Sequence, residues 1–420
     1  MNMRIAVASL IVITTLVACK RDTPATPPAP ASFAVQTWVL PSEPGSMAPD
    51  LVTAPGGRVL LSWINRSQGR RNALQFAAYT EAAGWQSQPR TIAVGNSLLA
   101  NAADTPHLLA TADGALWSQW LQTQPDNPSG YDTVLARSKD GGMSWTQITR
   151  VNNDGQAAEH GFAALWPHGT NGLGMAWLDG RAQAAQPIPA HDHAQHAMGA
   201  MQLRSNIFNL DLQRGEDAVV DARSCDCCQT AAAMTEQGPL LAWRDRSDAD
   251  IRDIAVARFE NGAWTPPKLV HADGWKIEAC PVAGPALAAQ GKTAVVLWYS
   301  EAGGTPTLRM ARSVDAGSTF AEPVVLDTGT AVLGRAAIGV DAQHVWALWL
   351  REDAHGQTLL LARYTPDLSK RLQQVTVATL GARGMASGYP KLAVDAGGAW
   401  LAWTDVIGGV AHLKGARVAR

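Results

Sequence analysis

Short apolar runs ending in tryptophan recur along this chain at regular distances. Leu-Ser-Trp63, Ser-Gln-Trp120, Met-Ala-Trp177, Leu-Ala-Trp243, Val-Leu-Trp298, Ala-Leu-Trp349 and Leu-Ala-Trp403 follow one another at spacings of 57, 57, 66, 55, 51 and 54 residues. About twelve residues before each lies another short apolar segment, as in PDLVTA, PHLLAT, QTAAAMT and YPKLAVD, usually set off by a Gly or Asp turn. A third segment follows, often ending Ala-Arg, at Arg137, Arg258, Arg312, Arg363 and Arg417. A fourth starts with an aromatic residue, as in GWQSQPRTIAV, SWTQITRV, AWTPPKLV and TFAEPVVL. Four short strands per repeat of this length predict the blades of an all-β propeller.

The last repeat holds three strands before the chain stops at Arg420. A blade short of its outer strand exposes unpaired backbone. Residues 32–40, SFAVQTWVL, read in phase with STFAEPVVL at 318–326, so the N-terminal strand is expected to complete the seventh blade. The pattern predicts one propeller over 33–420, with residues 33–40 paired against the strand near Leu413 to Val418, and a six-bladed ring as the alternative.

The ends and the composition then set the compartment. One Arg4 precedes a short apolar run ending at Leu16-Val17-Ala18-Cys19, which resembles the lipobox of bacterial lipoproteins. The resemblance implies a signal peptide over 1–18 and a lipid on Cys19. Lys20 in place of Asp favours the outer membrane, so the expected partner of the N-terminus is a membrane facing the periplasm. Residues 19–32 are a Pro/Ala-rich tether. Charged residues make up 17% and the net charge is −2, which leaves no electrostatic reason to expect nucleic acid.

Two connections between third and fourth strands carry a pattern. Ser138, Asp140, Gly142, Ser144 and Trp145 match S-x-D-x-G-x-T/S-W, and Ser313, Asp315, Gly317, Thr319 and Phe320 repeat it with Phe for Trp. With these Asp-boxes the chain resembles the bacterial sialidase-like, BNR-repeat propellers. In such a turn Asp and Ser satisfy local amides and Gly takes the positive φ. Asp140 and Asp315 are therefore expected to be structural, on the face opposite the ligand side.

Most unusual residues fall on the other face. The inter-blade loops carry Asp104 to His107, Glu159-His160, Cys225-Asp-Cys227-Cys228, Glu278-Ala-Cys280, Arg335 and Tyr389. Cys225 and Cys228 have C-x₂-C spacing, Cys280 lies in the next inter-blade loop, and His160, His191, His193 and His196 belong to the preceding blade. Thiolate and imidazole together suit copper or zinc. Two disulfides explain four cysteines in an oxidising compartment equally well, and a CxxC redox site is the third option. Cys280 is expected beside the Cys225 turn whichever chemistry applies.

The sialidase resemblance implies three arginines around a carboxylate, a Tyr nucleophile activated by Glu, and an Asp acid. Arg181, Arg244, Arg246, Arg252 and Arg335 are candidate ligand-binding residues, with Tyr389 as the best placed tyrosine. No early Arg-Ile-Pro motif is present, and no Tyr–Glu–Asp set carries over residue by residue. The expectation is a ligand-binding lipoprotein rather than an enzyme, for a small molecule, a metal or an envelope protein. The alternatives are a sialidase-like glycoside hydrolase and a protein-interaction scaffold with disulfide-stapled loops.

Overall fold

The computed structural model describes residues 33–66, 71–86, 88–125, 127–184 and 200–420. Seven antiparallel sheets follow one another along the chain, with inner strands Ser46–Thr53, His107–Ala110, His160–His168, Ala231–Thr235, Ala286–Gln290, Val332–Val340 and Lys391–Asp395. They define blades 1 to 7, and each blade runs outward through its second and third strands to an outer strand. Blades 1 and 4 add a two-residue strand, Gly84–Trp85 and Ala263–Trp264, against the end of the third. The ring closes as the pattern requires: Val35, Gln36 and Thr37 pair with Val418, Arg417 and Ala416, and Trp38 N–H donates to Gly415 O at 3.0 Å.

Second strands are flanked by neighbouring blades on both faces, so they read as continuous apolar runs rather than as alternation. Val59–Asn65 and Gly172–Asp179 are buried at every position. The seven phase-setting tryptophans lie between blades, all at most 6% exposed. A buried indole N–H needs an acceptor. The preceding blade supplies it at three successive junctions: Trp243 donates to Asp221 at 2.7 Å, Trp298 to Asp273 at 2.6 Å and Trp349 to Asp327 at 2.7 Å. Truncating such a tryptophan to alanine costs about 3–5 kcal/mol.

Both Asp-boxes close on themselves. Asp140 Oδ1 accepts from Met143 N–H and Ser144 N–H at 3.0 and 2.9 Å, and Oδ2 accepts from Ser144 Oγ at 2.5 Å. Asp315 repeats this with Thr319 N–H at 2.8 Å and Thr319 Oγ1 at 2.6 Å. A Cβ on Gly142 would lie 2.2 Å from Phe76, and one on Gly317 would lie 2.6 Å from Leu240, so each turn seats its glycine on the preceding blade.

Candidate active site

The inner strands surround a central cavity of about 290 Å³. Its lining is uneven. Blades 7, 1 and 2 present Lys391, Asp50 and His107, whereas blades 3 to 6 present Ala164, Ala231, Ala286 and Ala336. Asp50 sits between the two bases, with its Oδ2 3.3 Å from His107 Nδ1 and its Oδ1 3.7 Å from Lys391 Nζ. Burial alone would raise its carboxyl. His107, Lys391 and the Leu108 N–H at 3.1 Å outweigh burial and hold it at about 2. Lys391 also donates to Thr105 Oγ1 at 3.1 Å.

Beside this arc a second carboxyl behaves in the opposite way. Asp104 is 2% exposed and lines the same cavity. Its Oδ2 accepts Phe162 N–H at 2.7 Å, and its Oδ1 has no hydrogen-bond partner among the described residues. Burial pushes Asp104 up to about 7, more than the Phe162 hydrogen bond and the nearby His107 and Lys391 pull it down. It therefore holds its proton well above the pH at which an ordinary aspartate loses one.

A β-bulge makes this contact. The inner strand of blade 3 shifts register between Gly161 and Ala164, and Phe162 takes a positive φ of 50°. The bulge turns Phe162 N–H toward Asp104. A Cβ on Gly161 would lie 2.1 Å from Asp104 Oδ2 and 2.9 Å from Tyr131 Cε2, so glycine lets these two side chains close on one spot. Tyr131 is half-buried, and the exposed Glu159 lies close enough to its hydroxyl to act on its proton. Burial first, then the Asp104 and Glu159 charges, raises the Tyr131 phenol and keeps its proton on. Burial and Asp226 raise Glu159, which makes it a stronger base than an ordinary glutamate.

Under Tyr131 lies a closed ionic cluster. His160 Nδ1 faces Tyr131 O at 3.2 Å, and Nε2 faces Asp154 Oδ2 at 3.1 Å and Asp179 Oδ1 at 3.7 Å. Both ring nitrogens meet acceptors, so His160 is an imidazolium. Burial opposes that charge, but Asp154 and Asp179 outweigh it and raise His160. Arg181 grips Asp179 through Nε and Nη2, each at 2.7 Å, and reaches Asp154 at 3.2 Å.

The other arginines foreseen as ligand-binding have their donors on protein groups. Arg244 donates to Ala283 O, Arg252 O and Tyr299 O, Arg246 pairs with Asp226 and Asp250, and Arg335 donates to Gly384 O and Ser387 Oγ. Arg252 reaches Ile277 O and Cys225 Sγ. Tyr389 is buried, which pushes it up to about 12, and its hydroxyl donates to Val282 O.

The four cysteines meet as foreseen, but as disulfides rather than as metal ligands: Cys225 bonds Cys228 and Cys227 bonds Cys280. That corrects the copper or zinc reading of this turn. Two groups still bring donor atoms within 4.8 Å of one another, the sulfurs of Cys225, Cys227 and Cys228, and Asp154 with His160 and Asp179. In the second, His160 and Arg181 already supply the positive charge. His191, His193, His196 and Cys19 lie outside the described residues.

Tyr131 is the residue that sequence reading missed. It lies inside the third strand of blade 2, Asn127–Ser138, opposite Thr123 of the second strand, and the Gly130-Tyr131 step was its available signal.

No protein-family model and no curated protein matches the sequence. Solved structures do match. The polysaccharide lyase Uly1 aligns with a TM-score of 0.52 at 8% identity, covering 86% of this chain and 88% of that one. A Dyadobacter fermentans protein of unknown function covers 90% and 95% at 14% identity with a TM-score of 0.48, and Trypanosoma rangeli sialidase covers 81% and 57% at 13% with 0.45. The likeness to Uly1 shows the propeller fold and does not reach one Asp-box lipoprotein family. The expectation of a non-enzyme is corrected on the fold alone: the polysaccharide lyase Uly1 is built on this architecture, so the architecture gives no ground for that expectation.

Proposed function

We propose that the channel mouth is the active site of an enzyme that cleaves glycosidic bonds by proton transfer between Asp104, Tyr131 and Glu159. One observation carries the reading: a buried carboxyl, raised to about 7 and with one oxygen free of hydrogen bonds, lies against a phenol that has a second carboxyl, Glu159, beside it. Displaced pKa values in a cleft mark acid–base machinery.

The roles follow from the protonation states. Asp104, neutral, donates its proton to the leaving glycosidic oxygen as the C–O bond breaks. Tyr131 oxygen attacks the anomeric carbon while Glu159 takes the phenol proton, so the pair acts as a nucleophile and its base. Water then displaces Tyr131, giving its proton to Asp104 as carboxylate, while Glu159 returns its proton to the departing Tyr131 oxygen. His160 is a positioning residue, since its imidazolium holds the Tyr131 carbonyl. No arginine triad stands at this mouth among the described residues, so the reading does not extend to sialosides. The cavity wall opposite Lys391, Asp50 and His107 is alanine, which gives a sugar ring a small apolar surface.

The test is product release from aryl glycosides and a panel of polysaccharides by the full chain and by Tyr131→Phe, Glu159→Gln and Asp104→Asn. Loss of about 10²–10⁴-fold in each variant is expected. Undiminished turnover in Tyr131→Phe contradicts the assignment, and an unsaturated product without water uptake replaces hydrolysis by elimination. The proposal keeps the envelope setting inferred from the Cys19 lipobox, for which fatty-acid labelling that disappears in Cys19→Ala is the check.

A further inference from the structure

The CDCC turn has a property that a pair of inert staples does not need. The sulfurs of Cys225, Cys227 and Cys228 lie within 4.8 Å of one another, so each can reach the others' bonds. Accessibility divides the two disulfides. Cys225 and Cys228 are buried at 0% and 2% exposure, whereas Cys280 is exposed on the loop after blade 4 and Cys227 is half-buried. The inner bond also has a cation. Arg252 Nη1 is 3.3 Å from Cys225 Sγ, while its Nε holds Ile277 O at 3.1 Å, in the loop that carries Cys280. A guanidinium at a sulfur stabilises its thiolate and makes it a better leaving group.

We propose that this turn is a redox site that takes electrons from a dithiol at its outer disulfide and relays them to its inner one. A donor thiolate attacks Cys280 Sγ, the Cys227–Cys280 bond breaks, and Cys227 leaves as thiolate. The donor's second thiol then resolves the mixed disulfide and frees Cys280, so the donor becomes a disulfide and has given two electrons. Cys227 thiolate attacks Cys228 Sγ, the Cys225–Cys228 bond breaks, and Cys225 leaves as a thiolate held by Arg252. This exchange moves no net electrons. The Cys227–Cys228 bridge that results is vicinal and strained, so a second dithiol opens it, giving two more electrons and leaving four thiols. The proposal does not depend on the assignment of Asp104 and Tyr131.

The full chain is exposed to dilute dithiothreitol, quenched with acid at intervals and alkylated, and the bonds are mapped by mass spectrometry. Cys227 and Cys280 are expected to be freed first, followed by a species with Cys225 free and Cys227 bonded to Cys228. In Cys227→Ser/Cys280→Ser, Cys225–Cys228 should open about tenfold more slowly, because an intramolecular thiol acts at a millimolar effective concentration. An inner disulfide that opens equally fast in both proteins overturns the relay, as does one that opens before the outer bond. If the double variant does not fold by circular dichroism, the order of bonds in the native chain decides alone.

Discussion

The two faces of the propeller use aspartate in opposite ways. On the Asp-box face, Asp140 and Asp315 accept hydrogen bonds on both oxygens from their own turns; these bonds hold Asp140 well below the usual carboxylate range and, together outweighing burial, which is the largest single effect on it, bring Asp315 to about 2. At the channel mouth, Asp104 has one hydrogen bond, a bare oxygen, and burial that pushes it to about 7. The same residue type is structural where its acceptors are saturated and reactive where they are not. The four-strand repeat alone does not distinguish them, since all three aspartates sit in loops between strands.

The comparison breaks most directly if activity and stability fail to separate. Asp104→Asn and Tyr131→Phe should remove turnover by about 10²–10⁴-fold while leaving the fold intact, read by glycoside assay and circular dichroism.

Asp104→Asn should also be the more stable protein at alkaline pH. Asp104 in the folded state has its pKa raised above the unfolded value of about 3.9, so between about pH 4 and 7 the folded chain binds the extra proton. Stability falls across that window as pH rises, by up to about 4 kcal/mol for three pKa units of a buried carboxyl. Denaturation of wild type and variant at pH 5 and pH 8 should show the gap already open at pH 5 and about three times larger at pH 8.

His160 runs the other way in protonation. Its folded pKa is raised above 6.5, so its contribution is complete below that value and is lost as pH rises through the folded pKa. His160→Gln should remove that slope. Turnover should fall in this variant through the misplaced Tyr131, and less than in Tyr131→Phe.

The smallest effect is expected at the Asp-boxes. Asp315→Ala should lower the melting temperature by a few degrees and leave turnover unchanged. A loss of activity equal to that of Asp104→Asn would erase the distinction between the faces.

The fold was legible because a propeller must bury each second strand between two neighbours, and Trp63 through Trp403 mark those positions at one phase. The closing strand was legible from the same phase, and the Asp-boxes from their own turn chemistry. The candidate site was legible in part. Phase placed Asp104, His107 and Glu159 in mouth loops, but nothing in it separates an unsatisfied carboxyl from a satisfied one. Tyr131 was missed because an aromatic inside a strand reads as core. Arg244, Arg246, Arg252 and Arg335 read as ligand arginines because charge is assumed to face solvent, yet here Arg244, Arg252 and Arg335 turn toward backbone carbonyls and Arg246 toward Asp226 and Asp250. The cysteines could be placed together, but the thiol state depends on distances that spacing does not give.

The central claim is that Asp104 keeps its proton near neutral pH inside the channel mouth. Carbon-13 NMR of protein labelled at the aspartate side-chain carboxyl, with Asp104→Asn to assign its signal, measures this directly. The account predicts a carboxyl signal that moves with a midpoint near 7 and is missing from the variant. A midpoint near 4, as for an ordinary solvated aspartate, would contradict it.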